Sequence, residues 1–435
     1  MKKSPLLVLL LTVAASADPA PATQVLTLEQ AIALALQHQP SLRVSKAAIE
    51  TAQARVELAN VVRQPTVALN GTVSLGSTYY ATSCGLDPAK MCGGFLDPTT
   101  TTGLGASASY RITDFGQTRL AIRAAEINAE AAAAGLDTTT LDARRAVEAA
   151  YLEAVARARL ITVAQATVAS EEVHLDQARR FVAAQAKDPI EVAQAQARAA
   201  NAKSALAQAR SNQAIAMAQL RAAIGWVDSS ASIAVEAKWP DPPSVDPTEL
   251  AALVDTARSH RPEIVALDKQ ILAANASLDS AFAERRPILT AGASTQWGPH
   301  SGDWNPPPSW SVGVTLSWTA FDGGRAKADQ RLARAAVQST LAQRDALLVD
   351  LTSQLESAHA QIVANRANVE ASTEAVAAAR TQLRLADARY AQGLGSQIEL
   401  ADAQTAVTTA EGNLILAQFQ LADAWVQMRR QLGQS

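Results

Sequence analysis

Residues 341–390 read LAQRDALLVDLTSQLESAHAQIVANRANVEASTEAVAAARTQLRLADARY. Every seventh position is apolar: Leu341, Leu348, Leu355, Ile362, Val369, Val376, Leu383 and Tyr390. Three residues after several of these stand small side chains, at Ala358, Ser372, Ala379 and Ala386. A strict seven-residue repeat keeps its seam on one side of a helix only if the helix underwinds to about 3.5 residues per turn, which predicts left-handed coiling against neighbouring helices. The helical pattern spans 325–392 without a proline, roughly 100 Å at 1.5 Å per residue. A compact domain has no room for such a rod, so length itself belongs to the function.

Outward from this stretch, the chain is written twice. His38 and His260, Pro40 and Pro262, Arg63 and Arg285, and Pro65 and Pro287 recur at one offset. Phe115 with Phe321 and Arg119 with Arg325 recur at a second. Glu191 with Glu399, Gln196 with Gln404, Arg221 with Arg429 and Gly225 with Gly433 recur at a third. The order is kept, so the drift in offset reads as change in loop length. A first structural repeat is expected over 18–225, with a hairpin at about 65–115 and a long helix at about 119–186. A proline-rich linker follows over 226–248. The second repeat spans 249–435, with a hairpin at about 287–321 and a long helix at about 325–392. The long helix of the first half has its own seam at Val147, Ala154, Ile161, Val168, Leu175 and Val182.

Between the helices, four segments alternate with period two, a strand signal. Val67, Leu69, Val73 and Leu75 begin the set, and Leu104 through Ile112 and Leu289 through Trp297 continue it. Trp310, Val312, Val314, Leu316 and Trp318 close it. At about ten residues each, such strands cross a bilayer when tilted, with aromatics at their ends suiting the interface. A soluble sheet with one wet face has the same alternation. Four strands cannot close a membrane barrel, because an open edge leaves backbone groups unpaired in lipid. Two chains would supply eight strands and three would supply twelve, and arithmetic does not choose between them.

The start of the chain, Lys2-Lys3, an apolar run from Leu6 to Ala15, then Ala15-Ser16-Ala17, predicts a signal peptide over 1–17. Without Lys2 and Lys3, 36 basic residues face 41 acidic ones, a net charge of about −5. No basic patch points to nucleic acid. Cys84 and Cys92, close together in a Gly- and Thr-rich segment of an exported chain, suggest a small disulfide loop. No nucleophile–base constellation and no metal-ligand set is legible, so neither enzyme activity nor a cofactor is expected. Asp114-Phe115-Gly116 ends a strand and has none of the companions of a kinase triplet.

Near its whole length the chain resembles the TolC-type outer-membrane efflux protein family. The resemblance rests on the duplicated plan and on Leu28-Glu29-Gln30-Ala31, His260-Arg261-Pro262-Glu263-Ile264, Phe321-Asp322-Gly323-Gly324-Arg325 and Arg389-Tyr390 through Ser396. It implies a mixed, mainly α protomer of duplicated helix–strand–strand–long helix–helix order. Three copies would form a twelve-stranded outer-membrane barrel on a periplasmic α-helical coiled-coil barrel. The implied role is the exit duct of a tripartite efflux pump or a type I secretion system. The implied partners are a periplasmic adaptor, an inner-membrane transporter and outer-membrane lipid, in a Gram-negative-type bacterium.

The resemblance also implies site residues. Gly393, Leu394, Gly395 and Ser396 match the adaptor-docking turn, with Lys187, Asp188 and Pro189 at the corresponding first-half tip, which lacks the glycines. Glu399 and Asp402, three apart and so on one helical face, match an acidic periplasmic constriction, to which Glu191 is the first-half counterpart. An exported coiled-coil adhesin or fibre is the competing class, but two alternating hairpins in duplicated halves do not suit a single stalk. A simple porin lacks rods of this length.

Overall fold

A computed structural model describes residues 24–83, 91–226, 233–236, 238 and 239, 250–298 and 307–434. The signal peptide, Cys84 and most of the linker lie outside the described residues. In chain order the elements are β1 (Gln24–Leu26), α1 (Leu28–His38), α2 (Pro40–Val61), β2 (Thr66–Ser83), β3 (Met91–Thr113), α3 (Gln117–Ala183) and α4 (Ile190–Ile224). Then come β4 (Ile233–Val235), α5 (Leu250–His260), α6 (Pro262–Ala283), β5 (Ile288–Trp297), β6 (Ser309–Ser317), α7 (Arg325–Ala391) and α8 (Gln397–Gln431). Helix lengths repeat across the halves: 11, 22, 67 and 35 residues in α1 to α4, and the same four in α5 to α8. The breaks before Pro40 and Pro262 follow from proline chemistry, since the ring disfavours helical geometry in the residue before it. Gln39 and Arg261 accordingly sit extended, with ψ near 120°.

One compact unit comprises residues 43–139 and 256–353. Its sheet has the order β2-β3-β5-β6, antiparallel throughout. The register gathers Val67, Leu69, Ala106, Ala108, Tyr110, Ala291, Ala293, Val312, Val314 and Leu316 on one face. The other face holds Thr66, Asn70, Ser107, Ser109, Thr290, Ser294, Ser311 and Thr315. The apolar face is open, with Leu69 83% and Trp310 78% exposed. Such a face suits an apolar solvent, while the hydroxyl face forms its own cross-strand bonds, Thr66 to Ser109 at 2.7 Å and Ser294 to Ser311 at 2.9 Å.

The uniform ten-residue strand expectation is corrected for the first hairpin. β5 and β6 have 10 and 9 residues, but β2 has 18 and β3 has 23. The stretch 76–103, whose Gly- and Thr-rich composition predicts the loop of this hairpin, is instead largely paired strand, in register from Gly76↔Thr99 to Ala81↔Gly94. Its Thr-rich composition suits a strand, and its glycines masked the alternation. The helices that flank the four strands, α2, α3, α6 and α7, are tied in the order of the strands. Ser45 of α2 bonds Thr139 of α3 at 2.8 Å, Lys269 of α6 pairs with Glu130 of α3, and Arg344 of α7 pairs with Asp268 of α6 at 2.6 Å.

The other unit comprises residues up to 42, 140–255 and 354–435. Its largest core joins Leu26, Ala31, Ala35, Val147, Tyr151, Val155, Leu220 and Ile224. β1 and β4 form a two-stranded parallel sheet that sequence reading missed, and the Tyr151 hydroxyl donates to the Leu26 carbonyl at 3.1 Å. Strands of three residues are too short for a periodicity signal. α8 lies between two long helices. Thr167 to Thr408 and Ser170 to Gln404 join it to α3, and Arg380 to Glu411 joins it to α7. Leu355, Ile362, Val376 and Tyr390 of the quoted seam are buried, as are Ala358, Ala379 and Ala386.

Candidate functional site

The candidate site is built from the two turns that reverse the long helices, α3 into α4 and α7 into α8. In the second, Gly393 takes φ +74°. This left-handed geometry lets the amides of Leu394 and Gly395 reach back to the Arg389 carbonyl at 2.9 and 3.0 Å. Ser396 then caps α8, its hydroxyl accepting from the Glu399 amide at 3.1 Å. The cap fixes Glu399 in the first turn of α8, where an acidic side chain also favours the helix dipole. Arg389, in the last turn of α7, pairs with Glu399 at 3.1 Å. Asp402, one turn further, is exposed and is the only charged residue lining a groove of about 810 Å³ between α7 and α8.

The first turn solves the same problem without glycine. Gln185 itself adopts φ +59°, and the Ala186 amide reaches back to the Phe181 carbonyl at 2.9 Å. Pro189 has no side-chain cap bond, but the Asp188 carboxylate accepts from the Ile190 amide at 3.0 Å and takes the cap's role.

Lys187 brings the two turns together. Its ammonium lies 3.4 Å from the Gly395 carbonyl, 3.6 Å from the Glu191 carboxylate and 5.6 Å from the centre of the Tyr390 ring. The Tyr390 hydroxyl donates to Glu191 at 3.1 Å, and Phe181 meets the same ring edge-on at 5.6 Å. Tyr390 is fully buried. Burial, then the Glu191 hydrogen bond and its charge, push the phenol up to about 12.

Glu191 is therefore engaged within the packed turns, whereas Asp402 is open and Glu399 half-open. Sequence reasoning missed Tyr390, Phe181 and Arg389 as site residues. The available signal was a phenol ending an otherwise aliphatic seam. The turns also present apolar side chains outward: Leu394 is 72% exposed, Ile398 63% and Ile190 58%. Among the described residues, no group of His, Cys, Asp and Glu side chains is arranged to hold a metal ion.

A family model described as outer membrane efflux protein matches residues 31–226 and 253–434. Protein CyaE of Bordetella pertussis is 31% identical over 412 residues, 93% of this chain and 83% of that protein. Outer membrane efflux protein BepC of Brucella suis is 26% identical over 423 residues, 94% and 87% of the two chains. Among solved structures, a membrane protein from Pseudomonas aeruginosa superposes with a TM-score of 0.78 at 23% identity, covering 94% of this chain and 90% of that one. The outer membrane protein VceC of Vibrio cholerae superposes with a TM-score of 0.72 at 22% identity, covering 94% and 96%.

Proposed function

Since this chain belongs to the outer membrane efflux protein family, and so is an outer-membrane exit duct, we propose that three copies close one twelve-stranded barrel. An acidic constriction at the α3–α4 and α7–α8 turns would narrow the periplasmic end. The single observation that carries the barrel is the sheet β2-β3-β5-β6, with one open apolar face and two unpaired edges. All four strands alternate in direction, so β6 of one copy can pair antiparallel with β2 of the next and leave no edge in lipid. Three copies would give a twelve-helix tunnel in which α3 and α7, one long helix for each structural repeat (18–225 and 249–435), supply six long staves and the shorter helices complete the wall.

The constriction rests on Glu399 and Asp402. Three copies would bring six carboxylates to one neck and favour cations. Glu191 acts beside them as the acceptor that holds Tyr390. The turns themselves, Gly393 to Ser396 and Lys187 to Pro189, dock a periplasmic adaptor that connects the duct to an inner-membrane transporter. The exposed Leu394, Ile398 and Ile190 support this, because exposed apolar side chains at a helical tip suit a protein partner. The chemistry is passive conduction, with no catalytic step.

Conductance of the purified protein in planar bilayers tests the constriction. Small cation-selective currents are expected, with selectivity reduced when Glu399 and Asp402 are both replaced by Ala. Unchanged selectivity in that double variant removes the acidic neck.

A further inference from the structure

All four strand–helix junctions fall at one end of the sheet, where β2 and β5 begin and β3 and β6 end. Each carries arginine. Arg63 stands between α2 and β2, Arg111 and Arg119 flank the β3–α3 turn, Arg285 and Arg286 lie between α6 and β5, and Arg325 begins α7. Across residues 61–66, 111–119, 284–288 and 317–325 these six cations face three carboxylates, Asp114, Glu284 and Asp322, a local excess of three positive charges.

Two of those carboxylates are committed inside their turns. Asp114 accepts from the Thr118 and Gly116 amides at 2.9 and 3.2 Å, and Asp322 from the Ala326 and Gly324 amides at 2.8 and 2.9 Å. Arg63, Arg119 and Arg285 are exposed, and Arg325, 3.6 Å from Asp329 one turn on, keeps a side chain that is 84% open.

The same junctions hold aromatic side chains out of any core. Phe115 is 51% exposed, Trp318 65% and Phe321 87%. Phe115 also sits at φ +54°, a left-handed geometry that disfavours a bulky residue. The Arg286 guanidinium donates to its carbonyl, and the Trp318 ring N–H donates to the Arg285 carbonyl at 3.2 Å, so the junctions brace one another. A strained, exposed phenylalanine beside arginines is unexplained by packing within one chain. At the margin of an apolar sheet face it is what a bilayer interface takes up: rings among glycerol and acyl chains, guanidinium groups on phosphate.

We propose that these junctions form a girdle binding anionic phospholipid headgroups of the leaflet facing the helices, with Arg63, Arg285 and Arg325 on phosphate and Phe115, Trp318 and Phe321 among the chains. This rests on the sheet lying in a membrane and adds which lipid it selects. The shared chemistry of phosphate could equally come from the free ion, so the test separates the two.

The full-length protein, purified in detergent, is titrated with short-chain phosphatidylglycerol, phosphatidylcholine or inorganic phosphate, and bound lipid is counted by native mass spectrometry. Phosphatidylglycerol should be retained over phosphatidylcholine, and Arg63→Gln with Arg285→Gln should weaken it about fivefold per arginine removed. Arg63→Lys with Arg285→Lys should keep the preference. Phe115→Gly should fold at least as stably in detergent, because glycine suits the positive φ, yet retain less lipid. Equal retention of the two lipids, an undiminished preference in the glutamine variant, displacement by inorganic phosphate at equal concentration, or unchanged lipid retention in Phe115→Gly overturns the girdle. Bilayer conductance of the same variants is read separately. Its loss in the wild type would strike the duct, and its retention with no lipid preference would strike only the girdle.

Discussion

Tyr390 donates its hydroxyl to Glu191, a residue 199 positions earlier in the chain, at 3.1 Å. Its neighbour Arg389 pairs with Glu399 at 3.1 Å. Two consecutive residues at the end of α7 thus hold the first turns of both returning helices, α4 and α8. Any change in the tilt of α7 at this end has to break or carry along both contacts.

Replacing Tyr390 with Phe keeps the ring against Phe181 and removes only the hydrogen bond. A bond to a charged acceptor contributes about 1.5–3 kcal/mol, so a loss toward the lower end is expected, since Lys187 still faces Glu191. The pH dependence has a definite sign. The phenol is raised from 10.0 to about 12 in the folded chain, so the folded state holds its proton more tightly than the unfolded one. The stabilisation is complete below pH 10 and is lost as pH rises toward about 12. Urea midpoints measured from pH 9 upward should show an alkaline decline in the wild type that is smaller in Tyr390→Phe. Parallel declines would remove the hydrogen bond as its cause.

The two acids of the proposed constriction are not equivalent. Glu399 is partly neutralised by Arg389, whereas Asp402 stands alone among Ala, Ser, Thr, Gln and Asn side chains of its groove. Reversal potentials in a salt gradient should therefore fall further for Asp402→Asn than for Glu399→Gln. Arg389→Ala should raise cation selectivity by uncovering Glu399. A fall in selectivity in Arg389→Ala would contradict the pairing.

Much of this was legible in the chain because the long helices are governed by local rules. The seven-residue seam, the prolines at 40 and 262 and the Gly393 turn each state their geometry within a few residues. The seam positions Leu355 and Ile362 are buried, while Leu341 remains 37% exposed. Seam periodicity fixes which side of a helix is apolar, but burial at each level depends on which neighbour is present. The clasp of Lys187, Glu191 and Tyr390 was not legible, because it depends on two turns meeting in space. The long first hairpin was hidden by composition, since Gly and Thr serve loops and strands alike. The resemblance located Glu399 and Asp402, but only the fold showed that Arg389 answers one of them.

Gln185 occupies a backbone slot that glycine fills at the other turn. A non-glycine residue at φ +59° costs about 1 kcal/mol relative to glycine. Gln185 is exposed, so little packing is lost on truncation. Gln185→Gly should raise the thermal midpoint, and Gly393→Ala should lower it, since Gly393 has φ +74° with open space around it. A destabilised Gln185→Gly would mean that the freedom glycine adds to the unfolded chain outweighs the strain relieved at this turn.

Gly225 offers the sharper contrast. It ends α4 at φ +79°, and its amide and that of Trp226 reach back to the carbonyls of Ala222 and Arg221. A side chain there would meet more than an unfavourable φ. Its Cβ would lie 2.9 Å from the Gln39 Cα and 3.0 Å from the His38 carbonyl oxygen, both backbone atoms at the break between α1 and α2. That break is held by Pro40, so it cannot yield by extending α1. The pair is mutually required: the bend before Pro40 fits only against a residue without a Cβ. Gly225→Ala should cost about 2–4 kcal/mol, strain plus overpacking. Gly393→Ala, strained but unobstructed, should cost about 1 kcal/mol. Comparing the two by urea unfolding isolates the steric part. If both variants lose the same stability, the close approach at Gln39 relaxes freely and the bend is not fixed by Gly225.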